Sequence, residues 1–284
     1  QNKIIHTVSY TDAWYKNELK KDGGWTLEMI DTKNPCSGFA NWKASIDIKG
    51  GTPGKKNLAD AANPDATAPQ LLRAFATDSV NIVLVLDSLK AGTTVNYNIS
   101  DGISTPQSAI VTAPAFDKVN LKLNTPLLRN KVYSITATIV TDCAGNLIAN
   151  KNTTRVGLSE IADSLNIVIN EILFNPPSNG TDYVEIYNRS NKIIDLKQTY
   201  IANRNSAGII SSIKQLSAES LLLFPQDFIV ITEDPTIIKR DFITKNMDAF
   251  VTVAAMPSFN DDKGDVIILN AQGNITDELL YDEK

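Results

Sequence analysis

Val132-Tyr133-Ser134-Ile135-Thr136-Ala137-Thr138-Ile139-Val140 runs directly into Thr141-Asp142-Cys143-Ala144-Gly145-Asn146. β-Branched and aromatic residues alternate with small polar ones, the period-two pattern of a strand with one buried face, and Ala-Gly-Asn closes it with a turn. The same grammar recurs on both sides. Val80–Leu86 (VNIVLVL), Thr93–Ile99 (TTVNYNI) and Val119–Leu123 (VNLKL) precede it, and Tyr183–Tyr187 (YVEIY), Phe228–Ile231 and Val266–Leu269 follow. Asp101-Gly102, Pro176-Pro177 and Lys263-Gly264 are read as the turns between such runs. Short strands at regular spacing, with no helical patterns between them, point to sandwiches rather than βαβ units. The expected fold class is all-β, as tandem β-sandwiches. One short helix is predicted over Asp234–Asn246, where an Asp precedes Pro235 and Ile237, Ile238 and Phe242 follow at helical spacing.

A chain of 284 residues is expected to hold two or three domains. Residues 58–67 (LADAANPDAT) are small, polar and proline-containing, the profile of a linker, and residues 157–165 (GLSEIADSL) form a second junction. The predicted pieces are therefore 1–57, 68–158 and 166–284.

Composition removes several function classes. Hydrophobic residues make up 43% and charged residues 21%, so a folded protein is expected rather than a disordered one. The 27 basic residues are scattered against 32 acidic ones, and the net charge of −5 gives no basic surface for a nucleic-acid backbone. No apolar run reaches the length of a membrane span, and no basic-then-apolar leader opens the chain. Cys36 and Cys143 belong to no metal motif, and they are either one disulfide bridge or two buried thiols.

The catalytic inventory is thin. His6 is the only histidine, set in the strand-like IIHTVSY, so Ser-His-Asp chemistry would depend on it alone and no GxSxG elbow is present. Glu171 and Glu185 sit on strands that can pair, but glycosidase-type chemistry needs a cleft and a set separation. Asp261, Asp262 and Asp265 are candidate oxygen ligands for Ca²⁺, although their spacing does not fit an EF-hand loop and an acidic turn between strands is the competing reading. Trp14, Trp25 and Trp42 all lie in the first piece, where core and edge packing competes with a sugar-stacking platform. No other cofactor is expected.

Asn170-Glu171-Ile172-Leu173-Phe174-Asn175-Pro176, then Asp182-Tyr183-Val184-Glu185-Ile186-Tyr187-Asn188, Ile194-Asp195-Leu196, Phe224-Pro225 and Asn260-Asp261-Asp262-Lys263-Gly264-Asp265 form a single series. Through it, residues 166–284 resemble the bacterial lamin-tail domain, an immunoglobulin-like sandwich. Residues 1–57 resemble the closing portion of the same family through Trp25–Asp31, Asn34-Pro35-Cys36, Asn41-Trp42 and Gly50-Gly51-Thr52-Pro53-Gly54. Gln272–Tyr281 also reads in register with Gln1–Tyr10, with Ile275 on Ile4 and Tyr281 on Tyr10. Residues 68–158 are similar to the immunoglobulin-like repeats of bacterial surface-layer and adhesin proteins, chiefly through Thr141–Asn146. In the family the C-terminal copy would continue beyond Lys284 into a segment like Trp14–Asn57. One expectation is therefore that residues 1–57 complete a lamin-tail sandwich, in the same chain or a neighbouring copy.

The resemblance implies a non-enzymatic structural or interaction module (spacer, adhesion or docking) of a secreted or cell-surface, outer-membrane-associated bacterial protein. Its partners would be other protein modules. An accessory region of a secreted hydrolase such as a nuclease, and a carbohydrate-binding module, are the alternatives. Asp78-Ser79-Val80, Asp87-Ser88-Leu89 and Asp163-Ser164-Leu165 resemble the O-glycosylation pattern of bacteria that use type IX secretion, which marks Ser79, Ser88 and Ser164 as candidates.

Overall fold

In a computed structural model of the chain, residues 8–35, 37–87, 97–112, 117–142 and 144–282 are described. The protein is all-β with short helical insertions. Two compact units emerge. One is built from residues up to Leu72 with Val83–Leu123 and Ile135–Thr154, the other from Arg73–Ile82, Asn124–Ser134 and everything from Arg155 onward.

The N-terminal piece holds one-turn helix α1 (Glu18–Lys21) and strands β1 (Leu27–Met29) and β2 (Trp42–Ala44), which pair antiparallel as a two-stranded sheet. Two three-residue strands cannot hold themselves together in water, and the structure supplies a polar centre. Glu28 is buried and accepts from Ser45 Oγ at 2.7 Å, Thr52 Oγ1 at 3.1 Å and the Ala59 amide at 3.0 Å. Asn41 is fully buried and donates to the carbonyls of Asp31 and Asn34. Gly50 closes the piece. Its φ is +86°, and a Cβ there would sit 2.0 Å from the Gly24 carbonyl oxygen.

The stretch 58–67, predicted as a linker, is tied into this piece. Ala59 is buried, the Ala61 amide donates to the Ile30 carbonyl, and the Asn63 amide donates to Asp31 while its carbonyl accepts from Asn34. Its polar composition reflects hydrogen-bonding duty rather than slack.

The middle piece carries β3 (Leu71–Ala76), β4 (Asn81–Leu86), β5 (Tyr97–Ile99), β6 (Ser108–Val111), β7 (Lys118–Lys122), β8 (Tyr133–Ala137) and β9 (Thr153–Val156), ordered β3-β4-β7-β6 and β5-β8-β9. Alternation is clean. Val119 and Leu121 are buried between exposed Asn120 and Lys122, and Tyr133, Ile135 and Ala137 are buried with Ser134 exposed between the first two.

The C-terminal piece is a sandwich of two four-stranded sheets. Sheet one is ordered β10 (Ile167–Leu173), β11 (Tyr183–Asn188), β16 (Phe228–Thr232) and β17 (Phe250–Thr252), antiparallel apart from the last pair. Sheet two is ordered β14 (Ile210–Gln215), β13 (Thr199–Arg204), β18 (Lys263–Asn270) and β19 (Ile275–Asp282). A short pair, β12 (Ile194–Asp195) with β15 (Leu222–Leu223), lies beside them. The core fills the gap, with Ile167, Val184, Ile186, Ile231 and Val251 from sheet one meeting Ile201, Val266 and Ile268 from sheet two. The 157–165 junction is packed here as well. Ala162 joins that core, and Glu160 donates its amide to the Ile193 carbonyl.

Two local predictions need adjustment. Helix α2 spans Pro235–Asp241, with Asp234 accepting from the Thr236 amide, but it stops short of Asn246 because Phe242 turns to extended backbone and packs edge-on against Tyr183. Lys263-Gly264, read as a turn, opens strand β18. Gly264 faces Tyr281, whose ring leaves no room for a side chain: a Cβ would lie 2.5 Å from the tyrosine oxygen.

Candidate functional site

The two family glutamates do meet. In the register of β10 on β11, Ile169 faces Ile186 and Glu171 faces Glu185, with a β-bulge between them. Without that extra residue Asn170 alone would stand opposite Glu185. The bulge places both Asn170 and Glu171 there, the two-against-one pairing that re-aims a side chain. Asn170 Nδ2 donates to Glu185 Oε1 at 2.7 Å, and the Tyr183 hydroxyl donates to Glu171. Burial, the hydrogen bond to Glu171 and the two carboxylate charges hold the Tyr183 phenol above its ordinary range. Glu171 is exposed and Glu185 half-buried on the outer face of sheet one, away from the sandwich core.

A separate cleft of about 320 Å³ opens at one end of this sandwich, lined by Pro176, Asp182, Glu233, Met256 and Phe259 among others. Burial, then the charges of Asp261 and Glu233, push the Asp182 carboxyl up to about 6. Glu233 is engaged by the Met256 amide at 2.7 Å. Of the candidate calcium ligands, Asp261 is the one whose charge reaches Asp182. Asp262 caps the Lys263 amide, and Asp265 accepts from the Arg204 amide. The three therefore serve different partners, and among the described residues no group of three or more acidic, His or Cys side chains is placed to hold a metal ion.

The tryptophans are half-buried and do not make one platform. Trp14 and Trp42 lie 6.2 Å apart at 47°, Trp14 meets Phe39 edge-on, and the Lys20 ammonium sits 4.0 Å over the Trp25 ring. Trp14 and Trp42 thus pack against one another, and lysine covers one face of Trp25.

Ser79 lies in the bend between β3 and β4, where the Asp78 carboxyl accepts from the Asn81 side chain and from the amides of Val80 and Asn81; the Asn81 side chain first, then these backbone bonds, lower its pKa. Ser164 is exposed in a turn, next to Asp163, which pairs with Lys192 at 2.5 Å. His6, Cys36, Ser88 and Cys143 lie outside the described residues. No helix among the described residues is long and apolar enough to cross a membrane.

Sequence reasoning missed the aromatic stack beside Glu171 and Glu185. Tyr187 and Phe228 stack there with ring centroids 4.4 Å apart, and Val168 and Val230 flank them. The approach of Glu171 and Glu185 was legible from the pairing of the NEI and VEI strands, but nothing local revealed that two aromatic rings would stack beside them.

Comparison with known proteins sets this geometry in context. Residues 161–283 match the family model described as Lamin Tail Domain. The chain is similar to the N-terminal part of the bacterial S-layer protein SbsC, at 15% identity over 57% of this chain and 45% of that one, with a TM-score of 0.31. It is similar to domains 1-6 of surface layer protein SbsC at 10% identity, over 76% of this chain and 40% of that one, with a TM-score of 0.30. A DUF4876 family protein from Bacteroides thetaiotaomicron matches at 12% identity, over 70% of this chain and 66% of that one, with a TM-score of 0.27. The chain spans less than half the length of the two S-layer structures. No curated protein sequence matches it. The paired-sheet sandwich that begins at the packed 157–165 junction, carrying the NEI and VEI strands in direct register, is a lamin-tail domain of the immunoglobulin-like kind.

Proposed function

We propose that the chain is a non-catalytic structural and interaction part of a secreted or cell-surface bacterial protein, acting as a spacer and docking module. One observation carries this reading. Three carboxylates of the family motif each have a donor within the sandwich itself. Glu171 accepts from Tyr183, Glu185 from Asn170, and Asp195 from the amides of Lys197 and Leu221. A catalytic pair would need an acid and a base facing a shared cleft, whereas these side chains lie on a sheet face and in a strand-end turn. Fold alone assigns no partner, so the partner has to come from surfaces. The β1–β2 sheet is two-stranded, and a sheet this small is the kind that recruits a further strand; pairing of residues 1–57 with a lamin-tail sandwich is the contact proposed for it. In a type IX secretion setting, the exposed Asp163-Ser164 turn is the proposed O-glycosylation site.

The test is direct. Antibody against the purified chain is expected to label intact cells of the producing bacterium, while the purified chain turns over neither DNA nor phosphomonoesters with or without Ca²⁺ or Mg²⁺. Reproducible turnover abolished by Asp182→Asn would sink the non-catalytic reading, and labelling only of lysed cells would sink the surface assignment.

A further inference from the structure

The outer face of sheet one can be read row by row from its register. Leu173, Tyr183, Thr232 and Thr252 form one row; Glu171, Glu185, Val230 and Phe250 the next; Val168, Tyr187 and Phe228 the third. The first row is shielded by the Phe242 ring on Tyr183. Glu171 is exposed, Phe228 is 45% exposed and Glu185, Tyr187, Val168 and Val230 are half-buried in the second and third rows, while the Lys239 ammonium covers the Phe250 ring at the end of the second, 4.5 Å from its centroid.

A half-open apolar sheet face is a natural docking surface, but the middle row is unusual. Two carboxylates directly opposite each other across a strand pair, with Cβ atoms roughly 5 Å apart, are mutually destabilising. Their hydrogen-bond donors, the Tyr183 hydroxyl and the Asn170 amide, are both neutral. Among the described residues neither carboxylate has a cationic partner. The bulge brings the second charge to this position, so the opposition is built into the backbone. Beside it lies the Tyr187–Phe228 stack.

We infer that this face docks a partner protein through an arginine held between apolar side chains, the guanidinium bridging Glu171 and Glu185 and lying against the Tyr187–Phe228 rings. The chemistry selects arginine over lysine. A planar fork presents donors to two carboxylates at once, and its flat face stacks on aromatic rings, whereas an ammonium does neither so well. The half-buried Val168 and Val230 supply the apolar rim that desolvates the contact. This rests on the interaction-module reading and names the partner chemistry for one of its surfaces.

The experiment uses the full chain, isotopically labelled, titrated with a capped pentapeptide carrying one arginine between a tyrosine and a valine. A second peptide has citrulline in place of the arginine. The arginine peptide is expected to shift the amide resonances of Glu171, Glu185, Tyr187 and Phe228, and the citrulline peptide to bind at least tenfold more weakly. The double variant Glu171→Gln, Glu185→Gln is expected to lose binding to the same degree while its Tm rises, because the like-charge opposition is gone. If that variant is instead destabilised, Phe228→Ser decides: lost binding supports the inference, and retained binding overturns it. Equal affinity for the two peptides, binding unchanged in the double variant, or the same shifts produced by CaCl₂ alone would each overturn it. Absence of any shift would also overturn it while leaving the module reading intact, since that reading stands or falls on cell labelling and turnover.

Discussion

Asp182 shows what one residue can contribute in the wrong surroundings. Burial and two neighbouring acids raise its carboxyl to about 6, above the roughly 3.9 of an unfolded aspartate. A raised folded-state value means the native protein binds the proton more tightly. The associated stability is fully present below about pH 4 and is lost as pH rises through about 6. At neutral pH the ionised group is therefore a liability. Asp182→Asn is expected to stabilise the chain at pH 7.5 by about 1 kcal/mol after allowance for solvent screening, and to flatten the stability change between pH 4 and 6; urea titrations at several pH values check both. Gly50 presents the opposite case. Its positive φ and the nearby Gly24 carbonyl oxygen leave no room for a methyl group. Gly50→Ala should cost at least about 1–3 kcal/mol, read as a fall in Tm. A run of glycines could be read as a turn from the sequence, but which of them abuts another backbone could not.

Among elements, the small β1–β2 sheet depends on the hydrogen bonds behind it more than on its own ladder. Glu28 gathers Ser45, Thr52 and the Ala59 amide around a buried carboxylate. Glu28→Ala leaves those donors unsatisfied and should cost about 2–4 kcal/mol. Hydrogen exchange is expected to show the Ala59 amide losing protection first, and retained protection there would contradict the assignment of Glu28 as the organiser. Local patterning supplied strands β4, β5, β7, β8, β11, β16 and β18 and the start of helix α2, but not the bonding of the segments around them. Residues 58–67 have a linker's composition because Asn63, Asp60 and Asp65 serve hydrogen bonds to the folded piece rather than to water alone. Lys263-Gly264 has a turn's composition because a ring from β19 occupies the space a side chain would need. Both features have the same origin: small and polar residues mark close approach and internal hydrogen bonding as readily as exposure.

For the molecule as a whole, the lamin-tail sandwich is held by the apolar layer between its two four-stranded sheets. Ile186 and Ile201 are fully buried and contribute from opposite sheets. Ile186→Ala is expected to cost about 2–5 kcal/mol through lost burial and the cavity left behind. Phe228→Ser, on the open face of the same sheet, should cost less, about 0.5–1.5 kcal/mol from the lost stack on Tyr187. Chemical denaturation of the two variants tests the distinction between inner and outer faces, and equal losses would show that the outer face is structural as well.

Alternating hydrophobicity was enough to dictate strands, because side chains on successive residues of an extended backbone point to opposite sides and water sorts them. It therefore determined the all-β class, the inward and outward sets of YVEIY and YSITA, and, with the NEI and VEI motifs, the lamin-tail character of the C-terminal piece. Register, bulge position and the neighbours of each loop were settled only in three dimensions, since they depend on residues distant in the chain. That is why Glu171 stands opposite Glu185, why Asp182 lies beside Glu233 and Asp261, and why the stretches that looked like linkers are packed.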